Sequence, residues 1–134
     1  MVIDRHRYID QLSRSKGNGL IKIVTGLRRS GKSFLLKKLF RRHLLEEGVQ
    51  EDHILVIDLE NRKNKAFKDP DYLLDWVVQQ MADNDTYYII IDEVQEVADF
   101  VEVLSSLSVT EGADVYVTGS NSRFLSSDVV TEFR

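Results

Sequence analysis

The sequence contains no cysteine, a single proline and no long apolar run. Without cysteine, the chain has no disulfide bond, no thiol nucleophile and no thiolate ligand for a metal. No apolar run approaches the roughly 18 residues of a membrane-spanning helix, and residues 1–5 lack the apolar core of a signal peptide. With 43% apolar and 30% charged residues among 134, the composition is that of one ordinary globular domain. We therefore expect a cytoplasmic protein.

A net charge of −4 conceals an uneven distribution of charge. Residues 1–45 carry twelve Lys and Arg and two acids, whereas residues 46–134 carry six Lys and Arg and twenty acids. Seven basic residues lie close together: Arg28, Arg29, Lys32, Lys37, Lys38, Arg41 and Arg42. Their positive potential would attract a polyphosphate or nucleic acid, although a solvated helix face gives the same pattern. The sequence pI of about 5.4 argues against a dedicated non-specific DNA-binding surface.

Residues 26–33 form a complete G-x-x-x-x-G-K-S pattern, which is typical of a phosphate-binding loop. An apolar run precedes it and a helical pattern follows it, as the motif requires. The glycines let successive backbone N–H groups turn toward a phosphate, Lys32 can reach the β- and γ-phosphates, and Ser33 can ligate Mg²⁺. The alternative is a glycine turn with a surface lysine. The expected nucleotide-binding residues are Gly26, Leu27, Arg28, Arg29, Ser30, Gly31, Lys32, Ser33 and Phe34.

Two acids, Asp92 and Glu93, follow the apolar run at residues 87–91. Downstream of a phosphate loop, Asp92 can hold the hydration shell of Mg²⁺ opposite Ser33. Glu93 can orient and polarise a water for attack on the γ-phosphate. A compatible alternative is that these acids form the negatively charged start of the next helix.

A small polar segment, Thr118-Gly119-Ser120-Asn121, follows a later apolar run. Ligands of open α/β sheets bind at the carboxyl ends of the strands, where the phosphate loop and Asp92 are also expected. Ser120 or Asn121 can therefore contact the γ-phosphate or the attacking water, and the amide donor favours Asn121. The alternative is an ordinary turn with a helix cap.

Strand and helix patterns alternate along the chain. Strands are predicted at residues 21–25, 53–59, 87–91 and 114–118, and helices at residues 32–47, 70–81 and 97–107. Gly48 should end the first helix, Asp69 should cap the second, and the polar residues 60–68 should form a loop. This alternation predicts a parallel sheet with helices on both faces. The three histidines, His6, His43 and His53, show no ligand spacing, so no metal beyond Mg²⁺ is expected.

Together these residues resemble the prokaryotic AAA-type ATPase domain of predicted ATPases that carry a C-terminal domain of unknown function. The resemblance runs from Arg7-Tyr8-Ile9-Asp10-Gln11-Leu12 through residues 25–33 and 91–95 to residues 118–127. It implies a single domain at residues 1–134 with a three-layer P-loop fold and with ATP and Mg²⁺ as ligands. It also implies that the strand at residues 114–118 lies between the phosphate-loop strand and the Asp92 strand.

The resemblance further implies a longer protein. Similar proteins continue past Phe133-Arg134 into a fifth strand and a C-terminal domain that has been likened to nuclease folds, which hints at DNA-related work. We therefore expect an N-terminal fragment whose last strand is missing and whose phosphate-loop strand has an exposed edge. An arginine finger would come from Arg123, Arg134 or a neighbouring subunit, although both residues also fit solvated arginines.

These motifs predict an ATPase with Lys32, Glu93 and Asn121 as catalytic residues and with Ser33 and Asp92 at the metal. Arginine fingers raise turnover by about 10³–10⁵-fold in P-loop enzymes, so this fragment should bind ATP and hydrolyse it feebly. One alternative is a nucleotide-gated regulatory or DNA-associated module with little hydrolysis. A small-molecule kinase is less favoured, because no lid-like insertion follows residue 93.

Overall fold

The computed structural model describes residues 5–25, 32–119 and 131–133. Within them, five parallel strands form one sheet in the order β2-β3-β4-β1-β5. The strands are β1 (Lys22–Thr25), β2 (Ile54–Asp58), β3 (Tyr87–Asp92), β4 (Ala113–Gly119) and β5 (Thr131–Phe133). The four strands predicted from apolar runs are confirmed. The position of β4 between β1 and β3 is the one that the family resemblance implied.

Four helices accompany the sheet in the described part of the chain. Helix α1 spans Arg5–Arg14, α3 spans Pro70–Gln80 and α4 spans Phe100–Ser108. Helix α2 is composite: α-helical Lys32–Phe34 and Arg41–Glu46 flank a π-helical segment, Leu35–Phe40. None of the described helices is long and apolar enough to cross a membrane.

Apolar side chains fill both faces of the sheet, because successive residues of a strand point in opposite directions. On one face, Ile57, Ile91 and Val117 pack with residues of α3 and α4 such as Leu73 and Leu104. The opposite face of the sheet packs against α1 and α2. The buried residues there are Val24, Ile90 and Tyr116 from the strands, Leu12 from α1, and Leu36, Phe40 and Leu44 from α2. The predicted three-layer arrangement is therefore confirmed.

The structure also confirms the predicted end of one helix at Gly48 and the predicted start of another at Asp69. Gly48 has a φ of +98°, and the N–H groups of Gly48 and Val49 return to the carbonyls of Leu45 and Leu44, which closes α2. Asp69 accepts hydrogen bonds from the N–H groups of Asp71 and Tyr72 at the start of α3.

Three local expectations need correction. Residues 60–68, expected to form a loop, contain the 3₁₀ helix Arg62–Lys68, which the side chain of Asn61 caps by accepting from the N–H of Lys63. The third predicted helix begins at Phe100 rather than Val97, because Asp99 has a left-handed backbone that interrupts helical continuity. The sequence patterns do not predict helix α1, although the family resemblance includes residues 7–12.

The edge of β1 also differs from the expectation. We expected the last strand to be missing and this edge to be exposed, but Thr131–Phe133 pairs in parallel with Lys22–Val24. Thr and Phe both favour strands, and three residues suffice to pair with most of the four-residue strand β1.

Candidate functional site

The carboxyl-terminal ends of β3 and β4 meet the start of α2 at one point, the carboxylate of Asp92. Asp92 is the last residue of β3 and is fully buried. Ser33, in the first turn of α2, donates its hydroxyl to Asp92 Oδ2 at 3.0 Å. Thr118, near the end of β4, donates its hydroxyl to Asp92 Oδ1 at 2.6 Å. Each carboxylate oxygen of Asp92 is therefore held by a hydroxyl from a different element.

Thr118 also positions the next acid. Its Oγ1 accepts a hydrogen bond of 2.8 Å from the backbone N–H of Glu93. Glu93 has φ 59° and ψ 53°, the left-handed region that residues with a Cβ seldom adopt. The hydrogen bond fixes this backbone turn, and the residue is only 4% exposed. Gln95 then donates its amide to Glu93 Oε2 at 3.1 Å.

A lysine joins Asp92 to the neighbouring strand end. The register of β2 and β3 places Asp58 beside Asp92, and Lys37 Nζ lies 2.9 Å from Asp58 Oδ2 and 3.3 Å from Asp92 Oδ2. Partial burial lowers the pKa of Lys37, but hydrogen bonds and negative charge from Asp58 and Asp92 raise it more. The pKa therefore lies above its ordinary value, and Lys37 is a stable cation in the site.

The donor set suits a hard divalent cation. Mg²⁺ prefers oxygen ligands and is bound in proteins through one or two carboxylates together with substrate phosphates and waters. Ser33 offers a hydroxyl oxygen and Asp92 a carboxylate oxygen, and these two atoms already lie at 3.0 Å. The residues present therefore fit Mg²⁺.

Five residues of the predicted site lie within the described part of the chain. Ser33, Asp92 and Glu93 are close to one another, whereas the Phe34 side chain is 41% exposed. Lys32 begins α2. The remaining predicted residues lie outside the described ranges: Gly26, Leu27, Arg28, Arg29, Ser30, Gly31, Ser120, Asn121, Arg123 and Arg134.

The sequence patterns give no site role to Asp58, Gln95 or Thr118, and they include Lys37 only among the basic residues that would attract a polyphosphate. Some of these had a detectable signal. Asp58 is a strand's last residue, as Asp92 is, and carboxyl ends of parallel strands meet at one edge. Lys37 lies four residues after Ser33, about one helical turn along the same face.

Comparison with known proteins gives the family and the fold. A model of the family described as AAA domain matches residues 18–134. An uncharacterized protein of Haemophilus influenzae is 32% identical over 131 residues, which are 97% of this chain and 32% of that protein. An uncharacterized protein of Methanocaldococcus jannaschii is 27% identical over 116 residues, 85% of this chain and 24% of that protein. The chain thus spans about a third or less of these relatives.

A solved structure has a similar fold. One chain in the structure of Drosophila ORC bound to AT-rich DNA and Cdc6 superposes with a TM-score of 0.57, covering 89% of this chain and 47% of that chain. Sequence identity is 13%, so the likeness shows a common fold alone. With its parallel sheet and the family match over residues 18–134, the chain belongs to the AAA domain family and has the P-loop ATPase fold.

Proposed function

We propose that this chain binds ATP with Mg²⁺ and hydrolyses it at the carboxyl-terminal edge of the sheet. The observation that carries the proposal is the 3.0 Å hydrogen bond between Ser33 Oγ and Asp92 Oδ2. It joins the end of the phosphate-loop sequence to an acid at the end of a buried strand, which is the pair of groups that holds Mg²⁺ in P-loop enzymes. Membership of the AAA family supports the same activity.

The predicted residues would hold the phosphates, the metal ion and the attacking water. The backbone N–H groups of residues 26–31 and the ammonium of Lys32 would hold the phosphates. Ser33 and Asp92 would hold Mg²⁺, which when bound neutralises charge on the β- and γ-phosphates. Asn121 would donate its amide to the γ-phosphate or to the attacking water.

Glu93 is the residue that we assign to water activation. Asp92 already binds Ser33, Thr118 and Lys37 through its two oxygens, so it is occupied as an organising group. Glu93 follows Asp92 directly, and its left-handed backbone turns the chain away from the line of β3. Gln95 holds Glu93 Oε2. A carboxylate held in this way can accept a proton from water once ATP is in place.

A nucleotide-gated module associated with DNA is the second candidate. The concentration of Lys and Arg in residues 28–42 favours it. It requires the affinity for DNA to differ between the ATP-bound and nucleotide-free states, because a ligand shifts only those equilibria to which it is coupled. Equal affinity in both states would exclude gating. A homo-oligomer with an arginine finger from Arg123, Arg134 or a second copy is compatible with either candidate.

The test combines binding and turnover. Binding of a fluorescent ATP analogue with Mg²⁺ should be lost in Lys32→Ala, and release of phosphate should fall at least tenfold in Glu93→Gln while binding persists. Glu96→Gln is the matched control, because Glu96 is an exposed acid that lies three residues away and pairs with Lys68. If Glu93→Gln and Glu96→Gln hydrolyse ATP at the rate of the unmodified chain, water activation by Glu93 is excluded.

A further inference from the structure

A second cluster of ionisable side chains lies at the opposite, amino-terminal end of the sheet. His53 immediately precedes β2, and Asp83 and Asp85 lie in the connection between α3 and β3. The histidines showed no ligand spacing along the sequence, but the fold brings His53 beside residues thirty positions away. One nitrogen of His53 and one carboxylate oxygen each from Asp83 and Asp85 lie within 4.8 Å of one another.

We propose that His53, Asp83 and Asp85 form a binding site for a divalent transition-metal ion of the Zn²⁺ class. Imidazole nitrogen together with carboxylate oxygens is a ligand set that Zn²⁺ and its neighbours in the first row accept. The site is separate from the nucleotide site and is independent of the function proposed above.

The orientation of His53 suits metal binding through Nε2. Nδ1 faces Asp52 Oδ1 at 2.6 Å, whereas Nε2 faces Asp83 Oδ2 at 2.9 Å. Because both ring nitrogens face carboxylates, the ion would displace the Nε2 proton, and Asp52 would keep the remaining proton on Nδ1, an arrangement found repeatedly around zinc-binding histidines. Asp52 would therefore orient the ligand without binding the ion itself.

The ring is also held in place by packing. His53 is 6% exposed and stacks on Tyr87, with ring centroids 4.3 Å apart and planes inclined by 21°. The loop that carries the carboxylates is ordered by its own contacts: Asp83 Oδ1 accepts the N–H of Asp85 at 2.9 Å, and Tyr87 accepts the N–H of Ala82. One buried ligand is thus rigid, while the two exposed carboxylates can adjust.

Two of the three ligand atoms already lie close to the spacing of zinc ligands, and all three lie within 4.8 Å of one another. Tetrahedral zinc with bonds of about 2.0–2.1 Å places its ligand atoms about 3.4 Å apart. The Nε2 to Asp83 Oδ2 distance is 2.9 Å, so these two atoms need to separate by only a few tenths of an ångström. A cavity of about 250 Å³ borders His53 and Asp85, which leaves space for a water or small anion as the remaining ligand.

The local charge favours a cation. Three carboxylates surround one imidazole, and the ion pairs that the structure shows for Asp52 and Asp83 are both with His53. Even with the imidazole protonated, the group retains an excess of negative charge. A divalent ion would offset this excess and would link the start of the edge strand β2 to the loop before β3.

Zn²⁺ titration of the intact chain tests the proposal, with calorimetry for stoichiometry and thermal unfolding for linkage. We expect one ion per chain, and a rise in Tm of about 5–10 °C at a hundredfold excess over Kd. Asp83→Asn and Asp85→Asn should each weaken binding at least tenfold, and His53→Gln should abolish it. Asp52→Asn should weaken it about 10–100-fold, as expected for a group that orients a ligand.

Two controls distinguish this site from others. Asp75→Asn removes an exposed acid from α3 and should leave binding unchanged. Asp92→Asn disables the proposed Mg²⁺ site and should also leave Zn²⁺ binding unchanged. Absence of stoichiometric binding, or equal affinity in Asp85→Asn and Asp75→Asn, would overturn the proposal. Because Asp85 is exposed, its variant keeps the test decisive even if His53→Gln fails to fold.

Discussion

Replacing Thr118 with valine would remove one hydroxyl from the centre of the nucleotide site with little change in side-chain volume. That hydroxyl donates to Asp92 Oδ1 at 2.6 Å and accepts the backbone N–H of Glu93 at 2.8 Å. All three groups are buried, so water cannot replace either hydrogen bond without rearrangement. The substitution therefore affects the carboxylate and the left-handed backbone turn together.

The expected cost follows from these two contacts. A hydrogen bond to a charged group contributes about 1.5–3 kcal/mol, and an unpaired buried N–H costs about 1–3 kcal/mol. The two terms are coupled through one oxygen and do not add fully, so we expect Thr118→Val to lower the free energy of unfolding by about 3 kcal/mol. For a chain of this length, the unfolding entropy converts this into a fall in Tm of about 10 °C.

Urea unfolding measures this cost, and Thr118→Ser is the matched control. Serine keeps the hydroxyl and loses one buried methyl group, which costs about 1 kcal/mol. The midpoint should therefore fall much more for valine than for serine, with unchanged m-values. If valine is no more destabilising than serine, the hydroxyl does not hold Asp92 and Glu93 as described. With ATP, valine should also reduce turnover more than nucleotide binding, because it releases Glu93.

Three further predictions test other parts of the fold. Gly48→Ala should lower the free energy of unfolding in urea by about 1 kcal/mol. The cost would come from backbone strain at φ +98°, since no atom lies within 4 Å of the added Cβ. A neutral result would show that this backbone strain is absent. Lys22→Met should cost about 3–5 kcal/mol, because it leaves the buried carboxylate of Asp114 without its ammonium partner, whereas Lys16→Met at a more exposed pair should cost less than about 1 kcal/mol. Burial and the nearby Asp114 raise the pKa of Tyr116, so the folded state retains a proton that the unfolded chain releases above about pH 10. The free energy of unfolding should then fall by up to about 1.4 kcal/mol per pH unit above that pH, and Tyr116→Phe should reduce this slope. An unchanged slope in Tyr116→Phe would refute the raised pKa of Tyr116.

Patterns that depend on nearest neighbours along the chain predicted most of the fold. Continuous apolar runs marked the buried strands, because both faces of a parallel sheet are covered. Asp69-Pro70 marked the start of α3, because an aspartate cap and a proline at the first helical position both suit the local backbone. The pairing of Ser33 with Asp92 was also predictable, since both follow strands whose carboxyl ends meet at one edge.

Features that arise from packing between distant segments were not predictable. The left-handed backbone of Glu93 follows from its hydrogen bond to Thr118, twenty-five residues away. The buried pairing of Lys22 with Asp114 depends on β1 and β4 being neighbours. An apolar-run criterion treats such a lysine as a solvated residue, because the sequence alone does not supply its buried partner.

Lys37 shows how the fold resolves a repulsion that its own sheet creates. Pairing of β2 with β3 places Asp58 beside Asp92, and two neighbouring carboxylates repel. One ammonium offsets both, from within the π-helical segment Leu35–Phe40, a type of segment that is rare in helices and frequent at functional sites. Lys37 and Ser33 both contact Asp92 Oδ2, so a metal ion bound there must share that oxygen. Asp58 gives Lys37 a second carboxylate at 2.9 Å, which can retain the ammonium when Asp92 binds a metal ion.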